Sequence, residues 1–155
     1  LVGDGSFMML NSEIPTAMQE NAKITVVVFD NCAFGCINNL QMGNGVGSLA
    51  TEMRHRNETT GKLDGDYCCT DFGKIGEGFG MKAFYAKTPE EFRKAVQDAK
   101  KESVSCIIDA KVLPKTMAEG YESWWHIGVA STSKSDEVKA ARKRIDDHLA
   151  EARMY

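Results

Sequence analysis

Residues 23–29 run Lys-Ile-Thr-Val-Val-Val-Phe, an apolar, β-branched stretch with no alternation, the pattern of a strand buried on both faces of a parallel sheet. Leu1-Val2 predicts the tail of another strand. Between them Ile14, Ala17 and Met18 fall at helical spacing, with Asn11 or Ser12 placed to cap, so the spacing predicts a helix over 11–21. Asp71 is placed to cap a short helix over 72–78 that Gly80 ends, and 81–86 predict a strand. Thr88-Pro89-Glu90-Glu91 is a capping box with proline at the first helical position, and Phe92, Ala95, Val96 and Ala99 make the apolar stripe that follows. Residues 104–112 read as another buried strand centred on Cys106, Ile107 and Ile108. Residues 135–153 predict a helix with Val138, Ala141, Ile145, Leu149 and Ala152 on one face, packed on the domain or on a partner subunit. The order β–α–β–α–β–α–β–α predicts an α/β fold, three layers α/β/α around a mainly parallel sheet. A right-handed first crossover would set the carboxyl ends of the first two strands on one edge.

Residues 42–66 break this rhythm. Gly43, Gly45, Gly47, Gly61 and Gly65 are interleaved with charges and show no apolar period. Such long stretches in compact domains are functional or disordered, which predicts a mobile loop over an active site. Arg54, His55 and Arg56 would either meet a phosphate or a hydroxyl-rich substrate there, or stand solvated.

At 155 residues the chain is one domain with room for a core. A net charge of −3 argues against a nucleic-acid surface. No apolar run approaches the roughly 20 residues that span a bilayer, and no signal-peptide order opens the chain, so no membrane partner and a cytoplasmic location are expected. The first residue is not methionine and lies within strand pattern, which predicts a processed or excised, N-terminally truncated fragment. Five cysteines without paired CxxC spacing predict neither a disulfide framework nor a zinc site, but buried reduced thiols, with Cys32 open to oxidation.

Two motifs change the picture most. Gly3-Asp4-Gly5 closes the first strand and Asp30-Asn31-Cys32-Ala33-Phe34-Gly35 closes the second, at the edge where open α/β sheets bind ligands. Asp4 offers a carboxylate oxygen and Asn31 an amide oxygen, hard ligands suited to Mg²⁺ or Ca²⁺, and Ala33 is the natural main-chain carbonyl donor. The glycines let N–H groups come close to an anion. Either motif alone is ordinary turn chemistry; together they predict a metal-bridged diphosphate site. Tyr121-Glu122-Ser123-Trp124-Trp125-His126 predicts an aromatic plug or, alternatively, a substrate wall in which His126 or Glu122 moves a proton.

Gly3-Asp4-Gly5, then twenty-four residues, then Asp30-Asn31 resembles the fingerprint of thiamine-diphosphate enzymes, with Asp30 in place of the first asparagine. Gly35-Cys36-Ile37-Asn38-Asn39-Leu40-Gln41-Met42, Gly61-Lys62-Leu63-Asp64-Gly65, Val112-Leu113-Pro114-Lys115-Thr116-Met117 and the aromatic segment through His126 resemble one branch of that family. That branch hydrolyses a C–C bond of a cyclic 1,2-diketone in bacterial myo-inositol catabolism, a step of carbohydrate metabolism that gives 5-deoxy-glucuronate. The resemblance runs from residue 1 to at least 135. It implies thiamine diphosphate and Mg²⁺ as cofactors, with Asp4, Asn31 and the Ala33 carbonyl on the metal. It implies Gly3, Gly5, Ser6, Phe34 and Gly35 as further cofactor-binding residues. It also implies a homodimer or homotetramer, with pyrimidine-binding and central domains outside this chain. The family's essential glutamate lies in a partner subunit's pyrimidine-binding domain and no residue here replaces it, so the catalytic residue is left open, with His126 one candidate. Two alternatives stand beside this: an acetolactate-synthase-like carboligase, against which Trp124-Trp125-His126 and Asn38-Asn39-Leu40-Gln41 speak, and a diphosphate-binding module without catalysis.

Overall fold

Four parallel strands carry the fold: β1 (Val2–Gly3), β2 (Thr25–Asp30), β3 (Lys82–Ala86) and β4 (Cys106–Lys111), in the order β1-β2-β4-β3. The structure, a computed structural model, describes residues 1–116 and 128–151. The predicted helices are α2 (Glu13–Gln19), α4 (Phe72–Gly78), α5 (Pro89–Lys101) and α6 (Asp136–Glu151). Two more, α1 (Asp4–Met9) and α3 (Gly35–Gly43), were not predicted.

Alternation along the two central strands divides the core between the faces of the sheet. On one face Val28 and Ile107 pack with Phe7 of α1, Ile14 of α2 and Phe72 of α4. The Phe7 and Phe72 rings meet edge to face at 5.6 Å, the geometry that aromatic quadrupoles favour. On the other face Val27, Cys106, Ile108 and Ala110 pack against Ala95 and Ala99 of α5. This is the expected three-layer arrangement. Away from the sheet, α6 buries Val138 and Ala141 against Val129, and Arg144 reaches the Gly43 carbonyl at the end of α3.

Local chemistry set the helix ends that the sequence marked. Asp71 accepts from Lys74 N, and Thr88 accepts from Glu91 N. The helix expected over 11–21 is shorter, because Asn21 takes a left-handed φ of +53° and Ser12 makes no side-chain cap. Helix α3 shows no wide apolar stripe: its buried residue is Asn38, bonded to Ser48 and Thr51 of the following segment, so tertiary bonds rather than periodicity hold it.

Candidate functional site at the carboxyl edge of the sheet

Register alone brings the two motifs together. Gly3 of β1 lies beside Phe29 of β2, so Asp4 and Asp30 leave the sheet edge side by side. Asp4 is buried; its Oδ1 accepts from Gly5 N at 2.8 Å and its Oδ2 from Ala33 N at 3.0 Å. The same Ala33 N–H is shared with Asn31 Oδ1 at 3.1 Å. One main-chain group thus gathers Asp4, Asn31 and Ala33. Asp30 Oδ1 accepts from Cys32 N at 2.9 Å and holds that residue in a left-handed φ of +53°. Two glycines permit the crowding. A Cβ on Gly35 would lie 2.5 Å from Asn31 Nδ2, and one on Gly5 would lie 2.6 Å from the Phe34 ring.

Above this turn opens a cleft of about 500 Å³. Gly3, Asp4, Gly5, Ser6, Asn31, Ala33, Phe34 and Gly35, every cofactor-binding residue named from the sequence, line it. Phe29, Met9, Cys36, Ile37, Asn39, Val112 and Thr116 complete the lining. Asn39 and Thr116 are joined by a bond from Asn39 Nδ2 to the Thr116 carbonyl at 3.3 Å. These seven carried no site prediction; Cys36, Ile37, Asn39, Val112 and Thr116, inside segments with family resemblance, gave a hint. Helices α1 and α3 both begin at the cleft, and neither start is capped by a side chain. The leading N–H groups of a helix lack intrahelical partners and carry a partial positive charge, which favours an anion between these two ends.

Electrostatics supply the test of a cation. Burial pushes the Asp4 carboxyl up to about 6, and the adjacent Asp30 adds to the effect. Asp30 is buried beside it, and Lys111 Nζ bonds both Asp30 and the buried Asp109, reaching Asp109 Oδ2 at 2.9 Å. Burial opposes the Lys111 charge, yet the two carboxylates hold its pKa above that of an ordinary lysine. Lys111 is thus shared by two buried carboxylates, and among the described residues Asp109 Oδ1 has no hydrogen-bond partner. With Lys111 held by Asp30 and Asp109, the charge of Asp4 is one that a divalent cation would offset. Among the described residues no three His, Cys, Asp or Glu side chains gather as a ready ion site. The donor set instead mixes a carboxylate, an amide and a main-chain carbonyl, all hard oxygens of the kind Mg²⁺ takes.

The segment after α3 is tied to the turn by a short antiparallel ladder. Phe34 N donates to the Thr51 carbonyl at 2.8 Å and Met53 N to the Cys32 carbonyl at 2.7 Å. Cys68 N in turn donates to the Met53 carbonyl at 2.8 Å, which carries Cys69 to Cys32. The expectation of reduced thiols is corrected here: Cys32 and Cys69 form a disulfide, with Cα atoms 5.4 Å apart. Cys106 alone of the remaining three is buried. A separation of 37 residues gave no sign of this pairing, because only the folded-back segment creates it. Arg54 bonds Glu52 and the Gly65 carbonyl and lies over the Tyr67 ring, whereas His55 and Arg56 are exposed. His126, Glu122, Trp124 and Trp125 lie outside the described residues.

Comparison with known proteins gives this edge a context. Residues 1–110 match the family model described as the thiamine pyrophosphate enzyme, C-terminal TPP binding domain. The whole chain is 55% identical to a 3D-(3,5/4)-trihydroxycyclohexane-1,2-dione hydrolase of Clostridium botulinum, of which it spans 24%. It is 56% identical over its full length to a hydrolase of the same name from Bacillus cereus, again spanning 24% of that protein. Among solved structures, benzoylformate decarboxylase from Polynucleobacter necessarius superposes over 76% of this chain and 20% of its own, with TM-score 0.59 and 20% identity. The thiamine diphosphate-dependent 4-hydroxybenzoylformate decarboxylase of Rhodococcus jostii covers 74% of this chain and 20% of its own, with TM-score 0.57 and 18% identity. The last two show the fold. By sequence match over most of its length, by fold and by the geometry of its sheet edge, the chain belongs to the family of C-terminal TPP-binding domains of thiamine pyrophosphate enzymes.

Proposed function

We propose that this chain is the diphosphate-binding part of a thiamine-diphosphate-dependent hydrolase. The enzyme would cleave a C–C bond of 3D-(3,5/4)-trihydroxycyclohexane-1,2-dione to give 5-deoxy-glucuronate in myo-inositol catabolism. The relatives named for that substrate are similar over every residue of this chain, which supports the substrate class. The observation that carries the cofactor reading is the single Ala33 N–H shared by Asp4 and Asn31, which gathers the oxygen donors at a cleft between two helix starts.

When bound, thiamine diphosphate supplies the carbanion stabilisation that lets a bond next to a carbonyl break. The work of this chain is to bind and to orient. Asp4, Asn31 and the Ala33 carbonyl would hold Mg²⁺ against the diphosphate, and Gly3, Gly5, Ser6, Phe34 and Gly35 would shape the surface it lies on. Fixing the cofactor's position lowers the barrier through orientation. Asp4 and Cys36 are the titratable residues among the described residues that line the cleft. Proton transfer therefore falls to groups from the pyrimidine-binding and central domains or to His126. Met9, Leu10 and Leu113 beside the cleft are 70%, 66% and 74% exposed, apolar surface suited to burial against those domains in a cytoplasmic homodimer or homotetramer.

The test is Asp4→Ala in the full-length enzyme. Mg²⁺-dependent affinity for thiamine diphosphate should be lost in calorimetry, and affinity equal to that of the unaltered enzyme would remove the metal assignment. The scarcity of titratable groups in the cleft also favours a second reading for the chain taken by itself, that of a binding module. Turnover of the cyclic dione with and without the remaining domains separates the two, and turnover of pyruvate to acetolactate would favour a carboligase instead.

A further inference from the structure

Lys111 closes β4 in register with Asp30, which closes β2. Its ammonium bonds Asp30 Oδ2 and Asp109 Oδ2, and both carboxylate side chains are 0% exposed. The other oxygen of Asp30 accepts from Cys32 N, so a chain of contacts runs from Lys111 through Asp30 into the main chain between Asn31 and Ala33. That stretch of backbone would not hold itself, because Cys32 sits at φ +53°, which an L residue adopts at a cost. Asp109 is anchored separately, accepting from Phe72 N at the start of α4.

We propose that Lys111 is a positioning residue for the cofactor turn, acting through Asp30. An aspartate stands where the family fingerprint has a neutral asparagine, and it brings a full charge into a dry site. A buried carboxylate left without a partner is strongly unfavourable and would turn toward other donors. With Lys111 on Oδ2, Oδ1 stays on the Cys32 N–H and the Asn31–Ala33 turn keeps its shape. The Lys111 ammonium meets the turn at Asp30, so its effect on binding passes through that carboxylate. Outer partners of this kind typically change metal affinity about 10–100-fold when removed. This inference rests on the reading of the cleft as the Mg²⁺ and diphosphate site.

The experiment is a mutant cycle in the full-length enzyme, with thiamine diphosphate affinity measured by calorimetry at fixed Mg²⁺ and thermal midpoints recorded alongside. Lys111→Met should weaken binding about tenfold or more. Asp30→Asn keeps an acceptor for Cys32 N and should stay within about threefold of the unaltered enzyme. On the Asp30→Asn background, Lys111→Met should cost less than about threefold, because the charge it answers is gone. Equal losses on both backgrounds, or a lowered thermal midpoint with unchanged affinity, would overturn the proposal and leave Lys111 a structural partner of Asp109. If Lys111→Met does not fold, Lys111→Arg gives the same comparison: a loss on the aspartate background and none on the asparagine background supports the proposal, and equal effects overturn it. Unaltered enzyme that binds equally in Mg²⁺ and in EDTA would instead overturn the metal reading, an outcome distinct from either.

Discussion

Gly35 shows how closely single residues govern the site. The space a Cβ would need is already filled by the Asn31 amide at 2.5 Å, so Gly35→Ala must displace the side chain proposed as a metal ligand. Affinity for thiamine diphosphate with Mg²⁺ should fall about tenfold, roughly 1.4 kcal/mol, while the fold persists. Isothermal calorimetry with circular dichroism checks this, and unchanged affinity would mean that Asn31 is not held where the cation needs it. At this scale the sequence was informative: that Asp4, Asn31 and Ala33 meet at one edge was legible because their motifs close two strands. The role of Asp30 was not. Its partner Lys111 is 81 residues away and reaches it only through the β2–β4 register, which no local pattern encodes.

Among the elements, α5 and α4 could be placed from the chain because Thr88 and Asp71 cap them with side chains that need only their own next turn. Helices α1 and α3 escaped notice because glycines and polar residues open them, as they open turns; the sheet edge and the segment after α3 make them helical. That segment is anchored by Glu52, whose carboxylate accepts from Ser48, Tyr67 and Arg54 and faces Lys115. Burial alone would raise its pKa, but these donors prevail and hold it at about 2, below its ordinary 4.5. The stabilisation is therefore complete above about pH 4.5 and is lost as pH falls toward 2. Glu52→Gln should cost on the order of 2–3 kcal/mol at neutral pH and should flatten the acid-side decline in urea midpoint. Parallel declines in the two proteins would show that Glu52 does not fasten the segment. The disulfide partner Cys69 lies in the same anchored segment, which explains why cysteine spacing alone misled.

At the scale of the whole molecule, a parallel sheet covered on both faces presents an open carboxyl edge, and two helix starts, a buried carboxylate and an amide face it. The α/β class and the motif positions followed from hydrophobic pattern, since buried parallel strands announce themselves as unbroken apolar runs. What surrounds the cleft did not, because the chain spans about a quarter of the length of its curated relatives, 24%. The account predicts no turnover of the cyclic dione by this chain without the remaining domains, and activity once they are present. The most direct measurement is calorimetric titration of thiamine diphosphate into the full-length enzyme, first with Mg²⁺ and then with EDTA. A binding isotherm that is present with the metal and abolished by the chelator is the predicted result. The same isotherm under both conditions would contradict the site built on Asp4, Asn31 and Ala33.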